Sequence, residues 1–291
     1  MKPAPFKYFA PTNLDQAIEL LAADDQARPL AGGQSLVPMM NFRLARPSAL
    51  VDLNRIPELS DIREVDGALH IGSMTRQAAL LASPVLQRRA PLVTDALAFV
   101  GHPPTRARGT IGGSLANADP AAELPVVALA LDAEFAVRGL GGERVIHAGD
   151  FFQGMFETAI GDGELLTEIR IAPRLPGAGH AFLEFSRRHG DFAIISVAVN
   201  LTLDNSDRCE SSRIVLGGVG PIPVRCETVE AQLQGRVLNE TTIDVGSDAI
   251  HADSIELESR GASRHYRLHL ARVLLKRALQ QARHSAHTNS R

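Results

Sequence analysis

The sequence predicts an α+β protein with two domains, a larger mixed domain followed by a smaller one of strands and then helices. At roughly 150 residues per domain, 291 residues suggest two domains or one large one. Strand patterns dominate from residue 134 onwards, and residues 264–282 carry apolar side chains at helical spacing. Residues 173–179 contain two prolines and two glycines and are the best linker candidate.

The first part of the chain alternates helix and strand patterns. Residues 12–15 resemble a capping box ahead of a helix whose apolar face holds Leu14, Ala17, Ile18 and Leu21. We expect strands at 49–53 and 69–72 and helices at 75–81 and 84–99. Residues 121–131 are apolar almost all round, so periodicity leaves both a helix and another buried segment open.

The later part of the chain is predicted to hold most of the strands. They are expected at 134–138, 165–171, 181–187, 196–203 and 214–217, with a turn at 204–207. The helix over 264–282 carries Leu268, Ala271, Leu275 and Leu279 on its apolar face. The polar residues 284–291 are expected to fray.

Charge and composition exclude several classes of protein. A formal net charge of −3 gives no general attraction for nucleic acid. The chain shows neither a signal-peptide pattern nor a membrane span of about 20 apolar residues, so we expect a cytoplasmic protein. Two cysteines, Cys209 and Cys226, are too few for a four-thiolate cluster or zinc site. Any redox chemistry must therefore use a bound organic cofactor.

Two glycine loops are the most informative motifs. Residues 31–36 (Ala-Gly-Gly-Gln-Ser-Leu) and 110–114 (Thr-Ile-Gly-Gly-Ser) both combine paired glycines with polar side chains. Paired glycines let backbone N–H groups approach an anion closely. Neither loop matches the dinucleotide fingerprint or contains the lysine of a P-loop. Each loop alone is typical of an ordinary turn, but together they indicate a nucleotide-diphosphate site gripped from two sides.

Longer motifs around these loops resemble a known family. They are residues 31–38, 41–44 and 50–54, then 110–125, 164–171 and 185–193. In this order, over about residues 6–282, they resemble the FAD-binding medium subunit of the molybdenum hydroxylases. That family includes the carbon monoxide dehydrogenase flavoprotein and the bacterial xanthine dehydrogenase FAD subunit.

The resemblance implies a particular fold and division of the chain. It implies an FAD-binding PCMH-type domain, similar to vanillyl-alcohol oxidase, over residues 1–175, with lobes at about 1–55 and 56–175. A smaller C-terminal domain of an antiparallel sheet plus helices would occupy residues 176–285. Residues 286–291 would form a polar tail.

The resemblance also implies a set of cofactor-binding residues. The FAD pyrophosphate would lie against Pro29, Leu30, Ala31, Gly32, Gly33, Gln34, Ser35 and Leu36, and against Thr110, Ile111, Gly112, Gly113 and Ser114. The side chains after the second loop, Asn117, Asp119 and Glu123, can accept hydrogen bonds from ribose hydroxyls, and the resemblance places Glu123 near the adenosine ribose. Val100 and Gly101 would line the channel, Leu165 and Leu166 would pack near the adenine, and Asp191 and Phe192 would lie near the isoalloxazine.

Three positions depart from the family pattern. Gln34 stands where relatives of carbon monoxide dehydrogenase often have histidine, and Phe192 replaces a common tyrosine. Leu183, followed by Glu184, occupies a position that is lysine in some relatives. A lysine charge near the flavin is therefore not expected in this chain.

The implied function is electron transfer within a larger assembly. The FAD would be noncovalent, and molybdenum cofactor and two-iron iron–sulfur clusters would lie on a large and a small partner subunit, in a dimer of heterotrimers. This chain would pass electrons to an external acceptor, with no catalytic or metal-binding residues of its own. A self-sufficient flavin oxidoreductase and a nucleotide-binding assembly module without redox function are the alternatives.

Other polar residues carry little signal for a site. His265 and His269 lie four residues apart in a predicted helix, a spacing that suits a metal. No third ligand is identifiable, so we expect an ordinary exposed helix face. The carboxylates show no general acid/base dyad, and the two cysteines are expected to be small buried apolar residues.

Overall fold

The computed structural model describes residues 1–252 and 262–289. The helices are α1 (Leu14–Ala22), α2 (Leu36–Asn41), α3 (Gln77–Leu81), α4 (Pro84–Arg89), α5 (Pro91–Leu97), α6 (Pro103–Arg108), α7 (Ile111–Asn117), α8 (Glu123–Ala130), α9 (Ala148–Phe151), α10 (Glu227–Leu233), α11 (Glu240–Asp248) and α12 (Arg264–Asn289). The strands are β1 (Lys7–Phe9), β2 (Arg28–Leu30), β3 (Ala49–Asp52), β4 (Ile62–Val65), β5 (Ala68–Gly72), β6 (Glu134–Gly139), β7 (Gly142–His147), β8 (Phe152–Gly154), β9 (Glu157–Thr158), β10 (Leu165–Ile171), β11 (Ala178–Phe185), β12 (Ile195–Leu203), β13 (Cys209–Gly217) and β14 (Val224–Arg225).

A small parallel sheet begins the first domain. Its order is β1-β3-β2, and the apolar face of α1 packs against it in a cluster of its own. The predicted apolar residues Leu14, Ala17, Ile18 and Leu21 are all buried. The predicted cap is wrong by one residue, because Asn13 rather than Thr12 precedes the helix and accepts from the backbone N–H of Gln16.

A five-stranded antiparallel sheet forms the larger part of the first domain. Its order is β4-β5-β10-β6-β7, and helices α4, α5, α7 and α8 contribute to the same apolar core. The strand predicted at 165–171 is confirmed as β10. The single helix predicted over 84–99 is wrong, since α4 ends at Arg89 and α5 begins at Pro91. Proline lacks the N–H that would continue the helix and pushes the preceding Ala90 to an extended φ of −140°.

The second domain is an antiparallel sheet covered on one face by helices. Its order is β11-β12-β13-β14, and α10, α11 and α12 bury an apolar cluster against it. The α+β prediction of two domains is thereby confirmed. The predicted linker at 173–179 is too long, because β11 already begins at Ala178 and Gly179 pairs with Leu201.

Helix α12 extends further than the sequence predicts. It continues past Ala282 to Asn289, so the predicted fraying is wrong for residues 284–289, whereas residues 290–291 of the predicted tail lie outside the described residues. Ala286 is buried in the apolar cluster, and His287 lies 2.7 Å from an oxygen of Asp207. A Cβ at Gly179 would collide with the carbonyl oxygen of Ala282, so this glycine allows α12 to lie close against β11. One buried alanine per turn suffices to hold an otherwise polar helix end on the sheet.

The two domains meet where α8 packs on the free face of the second sheet. Register places three rows of side chains across β11, β12 and β13 on this face. The rows are His180, Asn200 and Arg213; Phe182, Ala198 and Val215; and Glu184, Ser196 and Gly217. The middle row is apolar and joins the core of the first domain. Helix α8 is buried almost all round because it packs against the second sheet on one side and against α5, α7 and α9 on the others.

Substitution of Gly217 by alanine should weaken this junction. A Cβ there would collide with the hydroxyl of Ser196 and lie 2.6 Å from a methyl carbon of Val126 on α8. We expect a loss of about 1–3 kcal/mol in the free energy of unfolding, as for other overpacked cores. Denaturant titration measures it, with Gly149→Ala as control because a Cβ at Gly149 meets open space. Equal stability of the two variants would show that α8 and the sheet are not tightly packed.

Candidate cofactor site

A cavity of about 830 Å³ lies between the two glycine loops and the segments that face them. This volume is within the usual range of ligand and cofactor pockets. Segments that line it come from β2, the loops at 31–36 and 109–114, the turn at 117–123, the residues before β10 and the loop at 190–192. Both domains therefore contribute to one cavity.

The structure brings most of the predicted site residues together. The lining includes Pro29, Ala31, Gly32, Gly33, Gln34, Ser35, Leu36, Val100, Gly101, Thr110, Gly112, Gly113, Ser114, Asn117, Glu123, Leu165, Leu166, Asp191 and Phe192. Leu30 and Ile111 do not line it. A side-chain carbon of Leu30 lies 3.3 Å from the Cβ position of Gly33, and Ile111 is buried in the first-domain core, so both support the loops from behind.

The two glycine loops touch each other directly. A Cβ at Gly32 would collide with the carbonyl oxygen of Arg108 and lie 2.8 Å from the Cα of Gly109. Gly33 has a φ of +71°, which side chains other than glycine rarely adopt. In the second loop, a Cβ at Gly112 would lie 2.5 Å from the Cβ of Ser73. The glycines at 32 and 112 are therefore required by backbone packing as well as by any ligand.

A polar bridge of Asn54 and Arg76 also joins the loops. The side-chain amide of Asn54 donates to the carbonyl oxygen of Ala31 at 3.0 Å. Arg76 donates to the side-chain oxygen of Asn54 and to the carbonyl oxygen of Arg108. The side-chain carboxylate of Asp52 accepts a hydrogen bond from the backbone N–H of Asn54, with 2.9 Å between oxygen and nitrogen. No local motif in the sequence predicts this role of Arg76.

Thr110, one of the residues whose hydroxyl is predicted to bind the ligand, also caps the start of α7. The hydroxyl of Thr110 accepts from the backbone N–H of Gly113 at 3.0 Å and so caps this helix. A hydroxyl that accepts one bond still has a proton to donate to a ligand. Ser35 precedes α2 but makes no capping bond with its side chain. Ser35 therefore keeps its full capacity for a ligand in the cavity.

Two buried polar atoms in the cavity wall have no partner within the described parts of the chain. They are the hydroxyl oxygen of Ser73 and the side-chain carbonyl oxygen of Gln77. Unpaired polar atoms in a protein interior are costly, so such atoms usually have a ligand or water. Together with the glycine loops, they fit a large polar cofactor such as FAD. The sequence analysis missed both residues.

Glu123, which the sequence predicts to accept hydrogen bonds from the adenosine ribose, is almost fully buried in the cavity wall. Its side chain is only 4% exposed, and burial raises its pKa to about 8. The neighbouring carboxylates Glu184 and Asp119 raise this pKa further, whereas a bond from its own backbone N–H lowers it. Burial also raises the pKa of Glu184, to about 7. The structure thus brings together a carboxyl pair where the sequence analysis found none.

A loop of the second domain closes one side of the cavity. Gly190 has a φ of +85°, and its Cβ position lies 2.5 Å from the imidazole ring of His102. Asp191 and Phe192 follow it in the cavity wall, with Phe192 63% exposed. This contact between His102 and Gly190 joins the segment after Gly101 to the second domain.

The histidine pair and the two cysteines considered in the sequence do not line this cavity. His265 and His269 are exposed on α12, and the described residues contain no group of three potential metal ligands. Cys209 and Cys226 are buried free thiols. Over residues 1–252 and 262–289, none of the helices combines the length and apolarity needed to cross a bilayer.

The fold and cavity define a two-domain FAD-binding protein, and comparison with known families agrees. The description "FAD binding domain in molybdopterin dehydrogenase" matches residues 4–174. The description "CO dehydrogenase flavoprotein C-terminal domain" matches residues 180–282. The chain belongs to the family of FAD-binding medium subunits of the molybdenum hydroxylases, as its motifs predict.

Individual relatives cover nearly the whole chain. It is 43% identical to the 6-hydroxypseudooxynicotine dehydrogenase complex subunit alpha of Paenarthrobacter nicotinovorans, over 98% of this chain and 97% of that protein. It is 35% identical to the carbon monoxide dehydrogenase medium chain of Hydrogenophaga pseudoflava, over 97% and 98%. The solved carbon monoxide dehydrogenase from that organism superposes with a TM-score of 0.94 at 36% identity, covering 97% of this chain and 98% of that one.

Substitution of Gly32 by alanine should reduce FAD binding. The added methyl group would push the two glycine loops apart, because the carbonyl oxygen of Arg108 already lies against Gly32. We expect FAD content per folded chain to fall severalfold, measured as flavin released on denaturation. Gly149→Ala is the matched control, and equal flavin content in both variants would contradict the proposed contact between the loops.

Substitution of Asn54 by alanine should weaken FAD binding without removing it. The change deletes the hydrogen bond to Ala31 and leaves Arg76 with one partner fewer. A loss of about 1 kcal/mol corresponds to a rise of about fivefold in the dissociation constant for FAD. Flavin fluorescence titration measures this, with the exposed Asn205→Ala as control. Unchanged affinity would mean that the bridge does not position the first loop.

Proposed function

We propose that this chain holds noncovalent FAD in the cavity and transfers electrons within a molybdenum hydroxylase. Electrons would enter from iron–sulfur clusters on a small partner subunit and leave to an external acceptor. Substrate would be oxidised at a molybdenum cofactor on a large partner subunit. The observation that carries this proposal is the cavity itself, in which both glycine loops of the family motifs face the loop at 190–192.

The cofactor-binding residues have distinct proposed tasks. Residues 29–36 and 110–114 would hold the pyrophosphate through backbone N–H groups and the hydroxyls of Ser35, Thr110 and Ser114. Leu165 and Leu166 would pack near the adenine. Val100, Gly101, Asp191 and Phe192 would border the isoalloxazine. FAD supplies the redox chemistry when bound, and the protein positions it and excludes water from it.

The partner subunits are proposed from the relatives. Several of these are named as the medium chain, the medium subunit or a lettered subunit of a dehydrogenase complex. We propose the same arrangement here, with a large and a small partner in a dimer of heterotrimers. We also propose a cytoplasmic location, which two free buried thiols support, because the cytosol keeps thiols reduced.

The proposed electron path can be tested with the co-expressed subunits. We expect the complex to be yellow and to release FAD on denaturation. Reduction of the iron–sulfur subunit with dithionite should then bleach the flavin absorbance faster than dithionite bleaches the flavin of this chain alone. Gly113→Val removes the cap made by Thr110, whose hydroxyl lies 2.8 Å from the Cβ position, and should abolish FAD retention in a folded protein.

Three outcomes would contradict the proposal. A colourless complex that cannot be reconstituted with FAD would remove the cofactor assignment. Equal flavin content in Gly113→Val and the unaltered protein would show that the second loop is an ordinary turn. Flavin reduction by a small-molecule substrate without partner subunits would instead indicate a self-sufficient oxidoreductase.

A further inference from the structure

Glu184 lies on β11 at the junction of the two domains. It forms one row with Ser196 and Gly217 on the sheet face that packs against α8. The Cβ position of Gly217 lies 2.6 Å from Val126, so this row reaches the first turns of α8. Within the described chain, one carboxyl oxygen of Glu184 and the hydroxyl of Ser196 are buried without a hydrogen-bond partner.

Glu123 stands on the other side of the same junction. It is the first residue of α8, lines the cavity and is almost fully buried. Burial is the main cause that raises the pKa of Glu123, and the charge of Glu184 raises it further. One carboxyl group therefore lines the cavity, and the second lies in the domain interface.

Within residues 1–252 and 262–289, the basic side chains on the packed elements have partners other than this pair. Asp119, before α8, adds a third acidic group. On the sheet face these basic side chains lie in the opposite row, where His180 is 3.4 Å from Asp95 and Arg213 is 3.1 Å from Asp132. From α12, Arg267 donates to the carbonyl oxygens of Gly218 and Ile194. The other residues of α8 and β12 carry no charge.

We propose that Glu123 and Glu184 titrate as one coupled pair that keeps Glu123 in its neutral form, so that it presents a carboxyl O–H to FAD in the cavity. Ionising two neighbouring buried carboxyl groups costs much free energy when no cation lies beside them. Their apparent pKa values therefore belong to the pair and not to either residue alone. A neutral Glu123 can donate a hydrogen bond and does not repel the anionic pyrophosphate. Glu184 acts through Glu123 and is a positioning residue. The inference rests on FAD occupying this cavity, as proposed above.

The sign of the resulting pH dependence follows from the raised pKa values. In the unfolded chain both side chains ionise near their ordinary pKa of 4.5, whereas in the folded protein they keep their protons to about 7 and about 8. The stability that this pair confers is full below about pH 4.5 and is lost as pH rises to about 8. FAD binding should weaken over the upper part of that range, because a second negative charge then appears beside the cofactor.

The experiment measures the FAD dissociation constant of the purified complex from about pH 6 to about pH 9 by flavin fluorescence. A protein that loses one bound proton loses affinity by up to tenfold per pH unit above the relevant pKa. Because pH 9 lies only about one unit above the pKa of about 8 for Glu123, we expect a fall approaching tenfold across the range. Glu123→Gln should bind FAD with an almost flat profile, because its amide stays neutral. Glu184→Gln should move the fall to lower pH, since one like charge no longer raises the pKa of Glu123.

Controls separate this inference from loss of folding and from failure of the proposed function. Glu19→Gln, on the exposed face of α1, should retain the unaltered pH profile. Infrared spectra of the unaltered complex at neutral pH should show the C=O stretch of a protonated carboxyl group, which Glu123→Gln removes. The infrared spectra test the protonation of Glu123 even if the Glu184→Gln variant does not fold.

Different results overturn different claims. A flat pH profile in the unaltered complex, or a Glu123→Gln profile identical to it, would overturn the coupled pair while leaving FAD binding intact. The absence of a protonated carboxyl band would also overturn it. A complex that holds no FAD at any pH would instead overturn the proposed function.

Discussion

The site depends on the close approach of two backbone segments at Gly32. At this point the first glycine loop lies against the carbonyl oxygen of Arg108, which leads into the second loop. Nothing larger than glycine fits there, and the bridge of Asn54 and Arg76 holds the same two segments from the side. Because these loops are already in contact, a diphosphate bound between them as proposed would require little reorganisation of the backbone.

The junction between the domains serves a second purpose besides packing. Its apolar middle row anchors the second sheet on α8, whereas the row of Glu184, Ser196 and Gly217 brings polar groups towards the cavity. The cost of burying these groups is offset by the apolar contacts around them, as is common at functional sites. The same packing that joins the domains would therefore set the electrostatic environment of an FAD bound in the cavity as proposed.

Local patterns in the sequence predicted much of this architecture but not its long-range contacts. The strand at 165–171 and both glycine loops could be predicted, because periodicity and glycine pairing are properties of neighbouring residues. The boundary between α4 and α5 has a local cause, the proline at position 91, but the apolar pattern continues through it and predicts a single helix. Arg76, Ser73 and the pair of Glu123 with Glu184 depend on the packing and register of segments far apart in the chain. No spacing within a single motif encodes such register.

The contact between His102 and Gly190 has a consequence for the residence time of the cofactor. The loop at 190–192 belongs to one domain and His102 to the other, so a motion of the domains that widened the cavity at this side would separate this contact. Exchange of bound FAD with free FAD would then be set by the rate of this opening, which can be slow even where equilibrium binding is modest. The domain junction would in this way act as a kinetic barrier that retains the cofactor between assembly and turnover.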